Sequence, residues 1–359
     1  MVNSFKTKKV KKLIHYKKNK KTKKTYKKNE RIFFDNFKSL KGKIPKHKGP
    51  LPTKFIEIKN RMKYYSNNKL KNELENLHKG QRKLMVMELD FINYIWPKIS
   101  KNKLEDKIIF VYVGAAPSNH TTLLADLFPK WKFILYDPRD MHPALNNYKN
   151  IEIHNKFFTD ADCERFKKDA NHILFVSDIR DMTVSKNNAN TEKREQLIFN
   201  DMKMQMDWVK KIKPLASSLK FRLPYDNGNT KYFDGELKLQ CWAPKQSTEG
   251  RLFVPQNHKM TTYDNKVHEE KSFYFNNVVR KSYHPHNGFC YQHNYDSTRE
   301  YVIVREFIEK VFKMDKQKES VKQARICKML RDINKCVRLK GSIIPTIKKD
   351  EDIKKYNLS

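Results

Sequence analysis

The sequence predicts an α/β protein with a doubly wound, mostly parallel central sheet, an antiparallel end to that sheet, and flanking helices. Short apolar runs rich in β-branched and aromatic residues alternate with stretches of helical periodicity, which is the pattern of repeated β-α units. The first run, Ile108 to Val113, is apolar throughout, as expected for a strand buried on both faces. Two later strand candidates, Ser217 to Leu223 and Leu237 to Trp242, have no clear helix between them, so we expect the antiparallel end there.

The other elements are predicted from the spacing of their apolar residues. From Lys69 to Trp96 these residues recur mostly at three- and four-residue steps, with a break near Gly80, which predicts two helices or one kinked helix. An amphipathic helix is predicted from Arg299 to Met314, and a basic helical stretch follows to about Lys340. The remaining predicted strands are Phe133 to Tyr136, Ile151 to Ile153 and Ile173 to Val176, and the helices between them are Thr121 to Phe128, Asp160 to Lys168 and Glu192 to Lys211.

The balance of charge predicts a polyanionic partner. The chain of 359 residues has 76 Lys+Arg against 40 Asp+Glu, a formal net charge of +36. Lysines crowd the segment from Lys6 to Lys28, which is either an RNA-binding arm or a localisation or solubilising segment. We expect a basic arm and linker over residues 1–50, a folded domain over 51–315, and a basic helical extension with a charged tail over 316–359.

Neither a zinc site nor a membrane-spanning segment is indicated. The five cysteines are scattered and form no Cys-x-x-Cys pair. No apolar run reaches the roughly 18 residues that a spanning helix requires. We therefore expect a soluble intracellular protein.

Residues that follow the apolar runs are the first candidates for a binding site, because ligands of α/β sheets bind at the carboxyl ends of the strands. Small residues from Gly114 to Pro117 follow the first run, and Asp137 ends the second, where an acid often accepts hydrogen bonds from ribose hydroxyls. One glycine in place of G-x-G-x-x-G favours a nucleoside ligand without phosphates, such as S-adenosylmethionine. The alternative is an ordinary turn.

Two charged residues near strand ends are candidates for chemistry. Asp178 closes the strand that ends at Ser177, where it either faces the site or caps the next segment. Lys220 lies inside a strand-like run, and a buried lysine costs several kcal/mol unless it is paired or neutral, as catalytic lysines are. The alternative for Lys220 is an edge position with its ammonium group in water.

Five blocks of sequence, in order, carry a resemblance to a known family. The blocks are Gly80-Gln81-Arg82-Lys83-Leu84, Tyr112-Val113-Gly114-Ala115-Ala116-Pro117, Tyr136-Asp137-Pro138-Arg139, Val176-Ser177-Asp178-Ile179-Arg180, and Pro214-Leu215-Ala216-Ser217-Ser218-Leu219-Lys220-Phe221-Arg222-Leu223-Pro224. From about residue 64 to residue 280 the chain resembles the poxvirus cap-specific mRNA (nucleoside-2′-O-)-methyltransferases, the family that includes poly(A) polymerase stimulatory subunits. The resemblance implies a Rossmann-like S-adenosylmethionine-dependent methyltransferase fold.

The resemblance also implies a catalytic tetrad and a cofactor site. The family's Lys-Asp-Lys-Glu tetrad falls on Lys83, Asp178, Lys220 and Glu249. A ribose 2′-hydroxyl is a poor nucleophile, so its proton must be steered away and its lone pair aligned with the S–CH₃ bond, and Lys220 would do this. The leaving thioether is neutral, so the step requires no metal. S-adenosylmethionine would contact Gln81, Tyr112, Gly114, Ser118, Asp137, Arg139 and Phe158, with Ser118 standing where the family usually has glycine.

Cap recognition in the family rests on stacking of a positively charged methylated guanine between two aromatic rings. By the resemblance, Tyr64 and Tyr225 are the rings, although Tyr64 could instead be a surface tyrosine. Glu269 would accept hydrogen bonds from the base, while the expected second carboxylate is Asn227, with Asp226 one position early. The other residues assigned to cap and RNA binding are Arg222, Leu223, Pro224, Ser247 and Thr248.

The predicted function is therefore methylation of the ribose 2′-hydroxyl of the first transcribed nucleotide of capped mRNA, which converts cap 0 to cap 1. One alternative is 2′-O-methylation of another RNA, and the other is a non-catalytic processivity factor for a viral poly(A) polymerase. The resemblance implies capped mRNA as a partner, allows a viral poly(A) polymerase catalytic subunit as another, and suggests a large DNA virus. It places the protein in the cytoplasm, at the viral factory, and allows a place in the virion.

Overall fold

The computed structural model describes residues 50–61, 73–180, 191–244, 247–282, 284 and 294–337. The predicted basic arm, the predicted cap residue Tyr64 and the charged tail lie outside these residues. The helices are α1 (Glu73–Lys101), α2 (Thr121–Leu127), α3 (Asp160–Phe166), α4 (Thr191–Ile212), α5 (Asn265–Tyr274), α6 (Tyr295–Val311) and α7 (Glu319–Val337). The strands are β1 (Ile109–Val113), β2 (Lys132–Tyr136), β3 (Ile151–His154), β4 (Ile173–Ser177), β5 (Ala216–Phe221), β6 (Asn229–Phe233), β7 (Glu236–Lys238), β8 (Gly250–Pro255) and β9 (Met260–Asp264).

Seven strands form one sheet in the order β3-β2-β1-β4-β5-β8-β7. The pairs from β3 to β5 are parallel, whereas β8 pairs antiparallel with both β5 and β7. This confirms the predicted fold class, including the antiparallel end. The chain winds outward from β1 in one direction and from β4 in the other, so the crevice between these two strands is the point where such sheets bind ligands.

The register of the sheet brings three predicted site loops side by side. Val113 at the end of β1 pairs with Tyr136 of β2 and with Ser177 of β4. The three strands therefore end level with one another, and the loops that begin at Gly114, Asp137 and Asp178 start at the same edge of the sheet.

Of the two alternatives predicted around Gly80, the structure has one helix and not two, because α1 runs from Glu73 to Lys101 without interruption and includes Pro97. A glycine inside a helix costs only about 1 kcal/mol relative to alanine. From Gln81 onward nearly every residue of α1 as far as Ile95 is buried, so tertiary packing outweighs the local preference.

The antiparallel half of the fold differs most from the predicted elements. The predicted strand from Leu237 to Trp242 is only Glu236–Lys238, and the structure adds β8 between β5 and β7. The strands β6 and β9 form a separate two-stranded sheet. These strands are short and carry charged or polar residues, so no apolar run marks them.

Apolar side chains pack on both faces of the main sheet. In β1, Phe110 and Tyr112 belong to one cluster and Val111 and Val113 to the other, as strand alternation requires. The first cluster includes residues of α1, α6 and α7, while α3 and α4 contribute to the second. Helix α7 thus packs its apolar face on the same core as α1 and α6. It falls within the predicted extension 316–359, and the boundary of that extension stays a prediction.

None of the helices in the described ranges combines the length and apolar character needed to cross a membrane.

Candidate active site

Glycine at position 114 allows the loop after β1 to lie directly against the loop after β4. Gly114 has a φ of 78°, a conformation that side chains other than glycine rarely adopt. A Cβ atom there would lie 2.9 Å from the backbone carbon of Asp178 and 2.9 Å from the nitrogen of Ile179. This close approach favours a ligand-site loop over an ordinary turn, because it brings the candidate cofactor loop into contact with the candidate catalytic aspartate.

The four residues of the predicted tetrad come together in one cluster. The Lys220 ammonium nitrogen lies 3.4 Å from Asp178 Oδ1 and 3.7 Å from Glu249 Oε2. Lys83 Nζ donates a hydrogen bond of 2.8 Å to Glu249 Oε1. These side chains come from α1, the end of β4, β5 and the segment before β8, so only the folded chain assembles them. Their catalytic roles stay predictions.

Two arginines that were not assigned a role also belong to this cluster. Arg251 donates a hydrogen bond of 2.6 Å to Asp178 Oδ1 and another of 2.9 Å to the carbonyl oxygen of Ser177. Arg180 lies 3.4 Å from Glu249 Oε2. Arg180 follows Asp178 by two residues in one of the five sequence blocks, and Arg251 follows Glu249 by two residues. This short distance in sequence from the tetrad was the available indication that both arginines belong to the site.

The surroundings of Lys220 favour its neutral form. Burial lowers the pKa of Lys220 from the ordinary 10.5, and Asp178 and Glu249 oppose this shift without cancelling it. Because Asp178 is engaged by Arg251 at 2.6 Å, it interacts less strongly with Lys220 at 3.4 Å. The Lys220 side chain is thus only 11% exposed and lies between two carboxylates with a lowered pKa, rather than at a solvent-exposed sheet edge.

Both carboxylates of the cluster remain ionised. Burial opposes the ionisation of Glu249, yet Lys220, Lys83 and Arg180 hold its pKa well below the usual value. Burial likewise opposes the ionisation of Asp178, but Lys220 and Arg251 lower its pKa. The cluster therefore combines two fixed negative charges with an amine that can give up its proton. In the part of the chain that the structure describes, no three His, Cys, Asp or Glu side chains are grouped to hold a metal.

Asp137 is fixed in an ionised state at the end of β2. Its carboxylate accepts hydrogen bonds from the backbone nitrogens of Ala116 at 3.0 Å and Arg139 at 2.9 Å, and from the Arg139 guanidinium at 2.7 and 2.9 Å. Burial would raise the pKa of Asp137, but these hydrogen bonds outweigh it and lower the pKa. An ionised carboxylate beside the β1 loop fits a ligand that presents hydroxyl donors, such as a ribose.

Of the remaining predicted cofactor residues, Gln81, Tyr112 and Ser118 lie in or next to the loop after β1, whereas Phe158 packs in the core. Gln81 Oε1 lies 2.7 Å from Nδ1 of the buried His120, and the Tyr112 ring meets the His120 ring edge-on. The Tyr112 hydroxyl is buried near the Glu88 carboxylate and makes no well-formed hydrogen bond within the described residues. Ser118 has a φ of 55°, in the region that favours glycine, the residue that the resemblance leads us to expect at this position. Phe158 lies in the core against Tyr136.

Of the predicted cap residues, the structure brings Arg222, Tyr225 and Thr248 together in a second cluster beside the tetrad. The Tyr225 hydroxyl is 3.0 Å from Thr248 Oγ1, and the Arg222 guanidinium carbon is 3.9 Å from the centre of the Tyr225 ring. Glu269 lies on α5 and accepts a hydrogen bond of 2.9 Å from Lys266. Leu223 and Pro224 are buried, whereas Asn227 is exposed.

Helix α5 and the residues after it bind the backbone of Ser247 and Thr248, which connect the tetrad residue Glu249 to the Tyr225 cluster. His268 Nε2 lies 2.9 Å from the carbonyl oxygen of Thr248, and Asn276 donates a hydrogen bond of 2.7 Å to that of Ser247. Burial lowers the pKa of His268 to about 4, so the ring is neutral at physiological pH. Asp226 accepts hydrogen bonds of 2.7 Å from both the Gly228 nitrogen and the Asn265 amide, which ties it to the turn.

Comparisons with known proteins identify the family to which the chain is similar. The sequence model of the family described as Poly A polymerase regulatory subunit matches residues 48–333. The chain is 30% identical over 241 residues to a cap-specific mRNA (nucleoside-2′-O-)-methyltransferase of Myxoma virus (strain Lausanne), which covers 63% of this chain and 69% of that protein. It is 31% identical over 229 residues to the protein of that name from Fowlpox virus (strain NVSL), over 58% of this chain and 71% of that protein.

A solved structure shows a weak overall likeness. The bluetongue virus VP4, described as a multifunctional RNA-capping production line, aligns with 65% of this chain and 38% of its own, at a TM-score of 0.36 and 14% identity. The family match covers well over half of the chain, and it agrees with the resemblance carried by the five sequence blocks. The chain belongs to the Poly A polymerase regulatory subunit family, together with the cap-specific mRNA (nucleoside-2′-O-)-methyltransferases of poxviruses.

Proposed function

We propose that the protein transfers a methyl group from S-adenosylmethionine to the ribose 2′-hydroxyl of the first transcribed nucleotide of capped mRNA. The names of the poxvirus relatives support the reaction class. The observation that carries the proposal is the position of Lys220, whose amine is buried between two ionised carboxylates next to the β1 loop. Such an amine can steer the proton of a hydroxyl group, which a fully solvated lysine cannot do at neutral pH.

The residues of the cluster divide the work of this step. Lys220, as the neutral amine, accepts a hydrogen bond from the 2′-hydroxyl, holds the oxygen lone pair in line for attack, and takes up the hydroxyl proton as the O–CH₃ bond forms. Lys83 and Arg180 neutralise Glu249, while Arg251 neutralises Asp178, so the two carboxylates orient the amine without fixing a proton on it. S-adenosylmethionine, when bound, supplies an electrophilic methyl group on a sulfonium that leaves as a neutral thioether.

The residues around the β1 loop fit S-adenosylmethionine. Asp137 supplies an ionised carboxylate for the ribose hydroxyls, and the buried Tyr112 hydroxyl in β1 is a further polar group of the proposed site. Gly114 keeps the loop free of a side chain where it meets the Asp178 backbone. The remaining predicted contacts, Gln81, Ser118, Arg139 and Phe158, are parts of this proposal.

The proposal is tested by a methylation assay with the position of the label mapped. Capped and uncapped RNAs of one sequence are incubated with the protein and labelled S-adenosylmethionine, and the digested products are separated by nucleotide. We expect label on the ribose of the first transcribed nucleotide of the capped RNA. Equal rates on the two RNAs would contradict cap dependence and favour another RNA substrate, and no label on either would favour a non-catalytic role.

The Asp137→Ala variant should bind the cofactor weakly. The change removes the carboxylate proposed to accept the ribose hydroxyls and leaves the Arg139 guanidinium with only its long contact of 3.4 Å to the Ala116 carbonyl oxygen. We expect the dissociation constant of S-adenosylhomocysteine, measured by calorimetry, to rise by about 10- to 100-fold. Asp106→Ala removes an exposed carboxylate that pairs with Lys130 and should leave the constant unchanged. Unaltered binding by Asp137→Ala would remove that residue from the site.

The Lys83→Met variant should shift the pH dependence of methyl transfer. Lys83 repels the protonated form of Lys220 and neutralises Glu249, so its loss raises the pKa of Lys220. Because the neutral amine is the active form, the ascending limb of the kcat profile should move to higher pH by on the order of one unit. Lys132→Met, at an exposed lysine of β2, serves as the control. If the ascending limb of the kcat profile does not move, Lys83 does not lower the pKa of Lys220.

A poly(A) polymerase catalytic subunit is a second proposed partner. The description of the family supports it, since the family is that of Poly A polymerase regulatory subunits. Co-purification of the full chain with a poly(A) polymerase from the same source tests this, and separate elution of the two proteins would contradict it.

A further inference from the structure

Glu195 connects helix α4 to the segment that follows β5. Its carboxylate accepts two parallel hydrogen bonds of 2.9 Å from the Arg222 guanidinium and a third, of 3.0 Å, from the backbone nitrogen of Tyr225. Paired hydrogen bonds of this kind fix both the position and the plane of a guanidinium group. No sequence block and no predicted site includes Glu195.

Glu195 thereby holds a positive charge against one face of the Tyr225 ring. The Arg222 guanidinium carbon is 3.9 Å from the ring centre, and Arg222 is only 9% exposed. A guanidinium at this distance occupies the π-face of the ring. A base that stacks on Tyr225 must therefore use the opposite face.

The charge of Arg222 matters for a methylated cap because N7-methylguanine is itself a cation. With the tyrosine ring between them, the two positive charges would lie on the order of 7 Å apart, within one Debye length at physiological salt. Their repulsion would weaken binding of the methylated base, whereas a neutral guanine would be little affected. The Glu195 carboxylate, in direct contact with Arg222, cancels most of this repulsion.

We propose that Glu195 is a positioning residue that determines specificity for the methylated cap by neutralising Arg222 behind the Tyr225 ring. The inference rests on the proposed cap recognition and deepens it, because it assigns the preference for the methylated base to a residue that does not touch the base. The proposed role requires the negative charge of Glu195, and not only the shape of its side chain.

The test compares binding of the dinucleotides m⁷GpppG and GpppG by fluorescence titration of the full chain. Glu195→Gln keeps the size of the side chain and removes its charge. We expect the ratio of the two affinities to fall about tenfold, through weaker binding of m⁷GpppG, while GpppG binding changes less than about twofold. Asp207→Asn removes the same charge from the same helix, 207 − 195 = 12 residues or about 18 Å further along, and should preserve the wild-type ratio.

The double variant Glu195→Gln/Arg222→Gln separates an electrostatic role from a structural one. Removal of the uncompensated guanidinium should return the ratio towards the wild-type value, which loss of structure would not do. Thermal unfolding of each variant reports whether it is folded. A wild-type ratio in Glu195→Gln, or no recovery in the double variant, overturns the inference. A wild-type protein that binds both dinucleotides equally overturns the proposed cap recognition itself and this inference with it.

Discussion

The Lys220→Met variant is expected to lose methyl transfer almost completely, with kcat reduced by about 10²- to 10⁴-fold. Methionine has a similar length but carries no nitrogen, so the 2′-hydroxyl loses the group that steers its proton. The fold should tolerate the change because both carboxylates keep other partners. Asp178 retains its hydrogen bond from Arg251, and Glu249 retains Lys83 and Arg180.

Single-turnover methylation at saturating cofactor and capped RNA measures this loss. Lys238→Met is a matched control, because Lys238 is also buried and also lies near two carboxylates, Asp90 and Glu236, which keep Arg299 and Lys54 as partners. It should lower stability without a comparable change in kcat. Lys220→Arg should be as inactive as Lys220→Met, since a guanidinium stays charged. Substantial activity in Lys220→Arg would mean that a positive charge suffices and that no neutral amine is required.

The parallel half of the sheet was predictable because its signal is local. The runs that became β1 to β4 are short, mostly apolar and followed by small or polar residues, and the register of β1, β2 and β4 places the residues that follow them at one edge of the sheet. The strand β8 was missed because its apolar run, Leu252 to Val254, is only three residues long and lies between the charged Arg251 and Pro255. A run of this length is too short to distinguish a buried strand from a loop.

The candidate site shows the same limit. Asp178 and Lys220 could be identified from their positions at strand ends, whereas Lys83 on a helix and Glu249 in a loop were assigned only by family resemblance. Glu195 was not identified at all. Its partners Arg222 and Tyr225 are about 30 residues away in sequence, and only the packing of α4 against the segment after β5 brings the three together.

The Arg82→Met variant is expected to cause the largest loss of stability, about 3–5 kcal/mol in the free energy of unfolding. Arg82 and Glu300 are both fully buried, and the guanidinium binds the carboxylate through contacts of 2.9 to 3.1 Å that join α1 to α6. Without Arg82, Glu300 keeps the hydrogen bond of 2.9 Å from the Trp242 indole but loses its counter-charge. A buried carboxylate without a counter-charge is costly, whereas an uncharged pair in the same space is not.

Urea unfolding at two pH values tests this explanation. Burial already raises the pKa of Glu300, with Arg82 opposing the shift, so the folded variant should hold a proton on Glu300 at a pH where the unfolded chain does not. The deficit of Arg82→Met relative to the wild-type protein should therefore be smallest below the unfolded pKa of about 4.5 and grow as the pH rises towards 7. The double variant Arg82→Met/Glu300→Gln should recover much of the loss at pH 7.

The control variant Lys130→Ala breaks its ion pair with Asp106, whose side chains are 68% and 61% exposed, and should cost no more than about 1 kcal/mol. The loss of unfolding free energy could instead be equal at both pH values, or the double variant could be no more stable than Arg82→Met. Either result would attribute the loss to packing of the Arg82 side chain rather than to the unpaired charge of Glu300.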